Sequence, residues 1–193
     1  MKIGVLALQG DFIEHIRMLE GLDVQGAEVR LPDDMEGLDG LIIPGGESTT
    51  IGKLAASYHL IDPIRRLAAT KPIWGTCAGA IFLAKTIQVR QALLGLMDIT
   101  VKPNAFGRQV DSFEINLDVP ALKILGNGQS YPFHAIFIRA PLIVSVNGDV
   151  EVLTTLPDGR IVAARQRNLL VTSFHPELTG DDRFHRYFLG LGR

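Results

Sequence analysis

Short runs that are apolar throughout alternate along the chain with segments whose apolar positions recur three and four residues apart. "KIGVLAL" (2–8) is apolar on both faces, which predicts a strand inside a parallel sheet. Asp11 then stands where a helix cap belongs, ahead of Phe12, Ile16 and Leu19 at helical spacing. "AEVRL" and "LDGLIIP" read as the next two strands. Ser48 is the expected cap of a helix carrying Ile51, Leu54, Ala55 and Tyr58 on one face. "KPIWG" is a short strand, and "AGAIFLAK" begins another helix. Strand and helix in alternation predict an α/β domain with a mainly parallel sheet.

The pattern changes after about residue 110. "DSFEINLDV", "HAIFIRAP", "LIVSV", "EVLTTL", "RIVAARQ" and "LLVTSFHP" are closely spaced strand-like runs, and Asp158-Gly159 predicts a hairpin turn between two of them. A helix from about Asp181 to Leu191 closes the chain. With no repeat, linker or low-complexity tract, the expectation is a single domain over 1–193. It has three layers, with helices flanking a mixed, mainly parallel sheet that gains antiparallel strands in its second half.

Composition narrows the function. The 193 residues are 47% hydrophobic and 21% charged, with a net charge of −2 and no long run of either sign. That argues against a nucleic-acid partner and against an anionic membrane surface, both of which reward a basic face. A single cysteine forms no internal disulfide, so an oxidising compartment is not required. The apolar start of the chain is too short for a signal peptide, and no apolar run approaches the roughly 18 residues of a membrane span. A cytoplasmic protein is expected.

Candidate chemistry centres on that one cysteine. Gly75-Thr76-Cys77-Ala78-Gly79 has the Gly-x-nucleophile-x-Gly spacing of a sharp strand-to-helix turn, with cysteine as the nucleophile. Such a turn leaves the sulfur at a helix N-terminus, where a thiolate is favoured, and presents the Ala78 amide to a developing oxyanion. A lone cysteine is also often a small buried hydrophobe, so a base decides between the readings. His175, in "SFHPEL", directly follows a buried-type strand, and Glu177 stands two residues on. Cysteine, histidine and carboxylate together make a nucleophile, its base and an orienting group, although His-Pro-Glu equally suits a plain turn. His15, His59, His134 and His185 show no partner at ligand spacing, and no metal site is expected. In "LIIPGGESTT" the two glycines free backbone amides to face a site. Gly46 N–H is therefore a second oxyanion donor candidate, with Glu47 and Ser48 lining the same place.

"PGGEST", "GTCAG" and "SFHPEL", in that order, resemble the class I, triad-type glutamine amidotransferases. With "GVLALQGDFIEH", "NAFGRQVDSFE", "FIRAP" and "GRIVAARQ", the chain is similar to the family of glutaminase subunits of pyridoxal 5′-phosphate synthase, from residue 3 to about 180. The resemblance implies Cys77 as nucleophile, His175 as base and Glu177 as third triad member. It implies Gly46, Glu47, Ser48, Arg108, Ile138 and Arg139 as glutamine contacts. It also implies hydrolysis of L-glutamine to glutamate and ammonia, a partner synthase subunit to receive that ammonia, and no cofactor held by this chain. If docking aligns the oxyanion donors, "LQGD" beside the first strand end is an expected docking surface. Two alternatives stay open at this point: a non-catalytic regulatory subunit of the synthase, and a cysteine hydrolase of related fold.

Overall fold

Strand β1 (Lys2–Leu6) is buried along its last four residues, and burial from both sides is what a parallel sheet imposes on its inner strands. The computed structural model describes residues 1–87, 91–105, 112–125 and 131–192. After β1 come α1 (Phe12–Glu20), β2 (Gln25–Val29), β3 (Gly40–Ile43), α2 (Ser48–Ser57), α3 (Ile61–Ala68), β4 (Ile73–Thr76) and α4 (Ala78–Leu83). There follow β5 (Ala84–Ile87), β6 (Met97–Lys102), β7 (Ser112–Leu117), β8 (Phe133–Ile138), β9 (Leu142–Val146), β10 (Glu151–Thr155), β11 (Ile161–Gln166), β12 (Leu169–Thr172) and α5 (Arg183–Gly190).

Ten strands form one mixed sheet in the order β2-β1-β3-β4-β12-β11-β9-β6-β5, with β10 pairing β11. The first five run parallel to one another. β11 is antiparallel to β12 and to β9, β9 is antiparallel to β6, and β5 lies parallel to β6 at the far edge. The expected Asp158-Gly159 turn joins β10 to β11, with Gly159 at φ 85° and its N–H donating to the Leu156 carbonyl.

Neighbouring residues of β3 point to opposite faces, as the strand period requires. Leu41 and Ile43 pack with Ile51, Ala55, Ile64 and Phe82 of α2, α3 and α4. Ile42 belongs to the other core, with Ile3, Val5, Trp74, Leu19 of α1 and Phe184 and Phe188 of α5. The second core also takes Leu117, Phe133 and Phe137 from β7 and β8.

That last contact departs from the sequence pattern. Among the described residues β7 and β8 do not extend the main sheet but pair with each other, as a second two-stranded sheet in register from Ser112↔Ile138 to Leu117↔Phe133. Their alternation of buried and exposed positions is that of a sheet covered on one side. The helix after Cys77 is shorter than "AGAIFLAK" suggests, because Ala84 already enters β5. Thr86 and Ile87 continue that strand. The cap of α2 is also not Ser48. The Glu47 carboxylate accepts from the N–H groups of Thr49 and Thr50, while the Ser48 hydroxyl donates to Gln91 Oε1. Among the described residues no helix is long and apolar enough to cross a membrane.

Register brings the chemistry to one edge. Ile43 is level with Gly75 in β4, and Thr172 is level with Thr76. The residues just beyond the carboxyl ends of β3, β4 and β12 therefore come together, as in open parallel sheets generally.

Packing at that edge leaves no space for a side chain on Gly79. A Cβ there would lie 2.0 Å from the Ile43 carbonyl oxygen, and one on Gly75 would lie 2.5 Å from the Gly79 carbonyl carbon. Gly79→Ala is expected to cost about 3 kcal/mol or more, since backbone rather than a pliable side chain must yield. Gly159→Ala, with nothing within 4 Å of its Cβ but a left-handed backbone, should cost about 1 kcal/mol. Urea midpoints of the two variants check the ordering.

Candidate active site

Cys77 occupies the step between β4 and α4. Its φ of 46° and ψ of −105° place a non-glycine residue in a strained conformation. The Thr172 carbonyl accepts its N–H at 2.8 Å, which holds the turn against β12. Glycine on either side is required by the close approach just described. The sulfur is nearly buried, 6% exposed, and faces the Ile138 carbonyl at 4.0 Å.

His175 arrives from β12 by way of Ser173 and Phe174. Phe174 is buried in the second core, and the His175 N–H donates to the Ile136 carbonyl of β8. The short 3-10 turn Pro176–Leu178 then folds Glu177 back beneath the ring. His175 Nδ1 is 2.8 Å from Glu177 Oε1, and both side chains are almost fully buried. Asp11 Oδ2 is 3.5 Å from the same nitrogen. Thus Asp11, read as a helix cap, makes no side-chain cap bond and turns instead toward the imidazole.

Burial alone would depress the imidazolium of His175. Hydrogen bonds with Cys77 and Glu177, and the charges of both, override it and raise the pKa to about 10. Burial likewise pushes Glu177 up from the ordinary carboxylate range, opposed by the bond and charge of His175. Asp11, His175 and Glu177 have ligand-type atoms within 4.8 Å of one another. Nδ1 of His175 is already engaged with Glu177, which fixes the orientation of the ring.

The loop after β3 closes the other side. Gly46 has φ 149°, and a Cβ on it would lie 2.5 Å from Gln9 Oε1. Gly45 abuts the imidazole, since a Cβ there would lie 2.4 Å from His175 Cε1. Two bonds tie this loop to the one after β1: the Asp11 N–H donates to the Gly45 carbonyl, and the Glu47 N–H donates to Gln9 Oε1 at 2.6 Å. Hydrogen bonds from Thr50 and Thr49 outweigh slight desolvation and bring Glu47 to about 2.

Cys77, His175, Gly46, Glu47, Ser48, Ala78, Ile138 and Arg139 all line one cavity of about 380 Å³. Arg139 sits at its rim with φ 44°. Glu177 lies behind His175, outside the lining. Arg108 lies outside the described residues. Sequence reasoning missed Gln9, Gly10, Asn104, Pro141 and Leu178 as lining residues. Asn104 carried a faint signal, being the start of "NAFGRQ". Leu178 carried none, because its 39% exposure follows from the 3-10 turn.

The SNO glutamine amidotransferase family model matches residues 5–191. A pyridoxal 5′-phosphate synthase subunit PdxT from Herpetosiphon aurantiacus is 61% identical over 99% of this chain and 100% of its own length. The PdxT of Moorella thermoacetica is 56% identical over 99% of each chain. A crystal structure of a glutamine amidotransferase superposes with a TM-score of 0.91 at 49% identity, covering 98% of both chains. The structure of PurLQS from Thermotoga maritima, 16% identical with a TM-score of 0.73 over 100% of this chain and 98% of its own, shares the fold.

A raised imidazole pKa links site and stability. Folding favours the protonated ring, so this contribution is complete below the unfolded value near 6.5 and is lost as pH rises through about 10. Glu177→Gln should bring the His175 midpoint down toward or below 6.5, read by NMR of the imidazole. It should also flatten the fall in stability between pH 6.5 and 10. An unchanged midpoint would mean that Glu177 does not hold the ring.

Proposed function

Since the chain belongs to the SNO glutamine amidotransferase family, we propose that it hydrolyses L-glutamine and passes the ammonia to a pyridoxal 5′-phosphate synthase partner. The observation that carries this reading is the Cys77 thiol sharing a cavity with a His175 ring oriented at 2.8 Å by Glu177. Relatives at 61% and 56% identity are named as subunits of that synthase, which supports the partner.

In this mechanism the thiol proton passes to His175 before glutamine arrives, giving a thiolate–imidazolium pair, and Cys77 Sγ attacks the side-chain carboxamide carbon of glutamine. The oxyanion forms beside the backbone amides of Gly46 and Ala78. His175, whose raised pKa suits it to hold the proton, returns it to the departing nitrogen. The C–N bond breaks, ammonia leaves, and a glutamyl thioester remains on Cys77. Water deprotonated by His175 attacks the thioester and frees glutamate and the thiol. Glu177 holds the ring through the 2.8 Å contact with Nδ1 and, when ionised, stabilises the imidazolium, as the carboxylate of a triad does.

Substrate polarity fits the walls. Glutamine has an α-ammonium and an α-carboxylate, and the cavity lining includes acidic Asp11 and Glu47 and cationic Arg139. The resemblance adds Arg108 as another cation that could meet the α-carboxylate. The bonds from Asp11 N–H and Gln9 to the Gly45–Glu47 loop give a partner seated on Leu8–Asp11 a direct route to the oxyanion donors. Docking there switches hydrolysis on and limits loss of ammonia.

Glutamate release from glutamine, measured with and without the synthase subunit, tests this. Release should need the partner, and Cys77→Ala should reduce it by roughly 10^4-fold or more while leaving the partner bound. An isolated chain as fast as the complex would remove the docking switch. No release with an active partner would leave the chain a non-catalytic regulatory subunit.

A further inference from the structure

Behind the triad lies a second histidine that the mechanism above does not use. His15 of α1 is completely buried, and its Nε2 is 3.5 Å from Glu177 Oε2 and 3.2 Å from Thr76 Oγ1. Its Nδ1 is 3.0 Å from Nε2 of His185 on α5, which is also fully buried. Trp74 sets the tilt of both rings, edge-on at centroid distances of 5.5 Å and 4.9 Å. Three separate elements, α1, β4 and α5, thus converge behind one carboxylate.

The protonation pattern of this chain of groups follows from what each arrangement would strand. Burial, then the nearby charges of His185 and His175, hold His15 well below its ordinary pKa, and burial takes His185 to about 4. Both rings are neutral at pH 7, with one N–H each. If His15 carried its proton on Nδ1, its Nε2 lone pair would face the Glu177 carboxylate. His185 would then have its proton on Nδ1, which has no hydrogen-bond partner among the described residues. A buried orphan N–H and a lone pair against a charge are both costly. With the proton on Nε2 of each ring, His185 donates to His15 Nδ1, and the His15 N–H points at Thr76 Oγ1 and Glu177 Oε2. Only the His185 Nδ1 lone pair is then unused.

Glu177 Oε2 is buried and accepts no hydrogen bond from the described residues. At 3.5 Å the His15 N–H is too far for a full hydrogen bond, but in a buried site its dipole still favours the charged carboxylate. We infer that His15, held in one tautomer by His185, is a positioning residue that keeps Glu177 ionised and turned toward His175. This deepens the glutaminase reading and rests on it. His15 touches no reacting atom and acts only through Glu177.

The test is the His175 imidazole titration by NMR in the purified full chain, its signal assigned with His175→Asn, beside glutamate release with the synthase subunit present. His15→Leu removes the N–H at similar volume. It should lower the His175 midpoint by about one pH unit and kcat about tenfold, with KM for glutamine unchanged. His15→Gln, which keeps an N–H near the Nε2 position, should stay within about twofold of the parent. His185→Phe should shift the midpoint in the same direction by less, and it decides the matter if His15→Leu does not fold. An unchanged midpoint in His15→Leu or, failing that variant, in His185→Phe overturns the proposal, as does an equal shift in Gln and Leu. The midpoint needs no substrate. A shift without any glutamate release would therefore overturn the glutaminase reading and leave the placement of His15 standing.

Discussion

Gly79 seated against the carbonyl of Ile43 is the contact on which the site depends. A β-carbon there would stand 2.0 Å from that oxygen, so α4 can lie directly over the end of β3 only because the side chain is missing. α4 is accordingly buried along its whole length, from Ala78 to Leu83. The chain must turn from strand to helix within one residue, and Cys77 takes the positive φ that the turn demands. The thiol is thereby lifted to the rim of the sheet and fixed there by the Thr172 carbonyl. Strain at this residue is held by surroundings that leave no other path.

Around that fixed sulfur the structure arranges charge in a place that disfavours charge. Burial acts against the ionised forms of His175, Glu177 and His15 alike. His175 and Glu177 oppose that cost by answering each other at 2.8 Å, in a region where low dielectric strengthens their attraction. The pair is thus oriented by the fold itself. The same burial makes the group behind Glu177 matter, because an ionised oxygen without a donor is costly there.

The loops after β1 and β3 are a single unit in structural terms. A β-carbon on Gly10 would fall 1.7 Å from the Gly45 carbonyl oxygen, and Gln9 takes the Glu47 N–H. The Asp11 N–H bond to the Gly45 carbonyl adds a second tie between the two loops. Gly45 in turn leaves room for the His175 ring. Cys77, His175 and the Gly45–Gly46 loop thus sit on three strand ends that the parallel register brings level.

Much of this was legible in the residue order. The strand–helix alternation, the glycine-flanked elbow and the His175–Glu177 pair are local patterns, in which neighbours within a few residues carry the whole signal. A turn of two residues suffices to bring Glu177 under His175, so their meeting was readable in "SFHPEL". The α2 cap was misread because Ser48 and Glu47 are both plausible there. The choice went to Glu47, whose longer side chain reaches two amides while the Ser48 hydroxyl is drawn to Gln91. β7 and β8 look like any other half-buried strands, and only the fold shows that they pack on Phe174, through Phe133 and Phe137 of β8, rather than extend the sheet. His15 gave no sign at all. Its partners His185, Thr76 and Glu177 lie far along the chain, and no periodicity marks such a contact. The sequence by itself determined the α/β class, the tight turn at Cys77 and the pairing of His175 with Glu177, because each rests on backbone sterics or short-range geometry. Tertiary structure alone decided which strands share a sheet and which side chains stand behind the triad, because those outcomes depend on burial shared between distant segments.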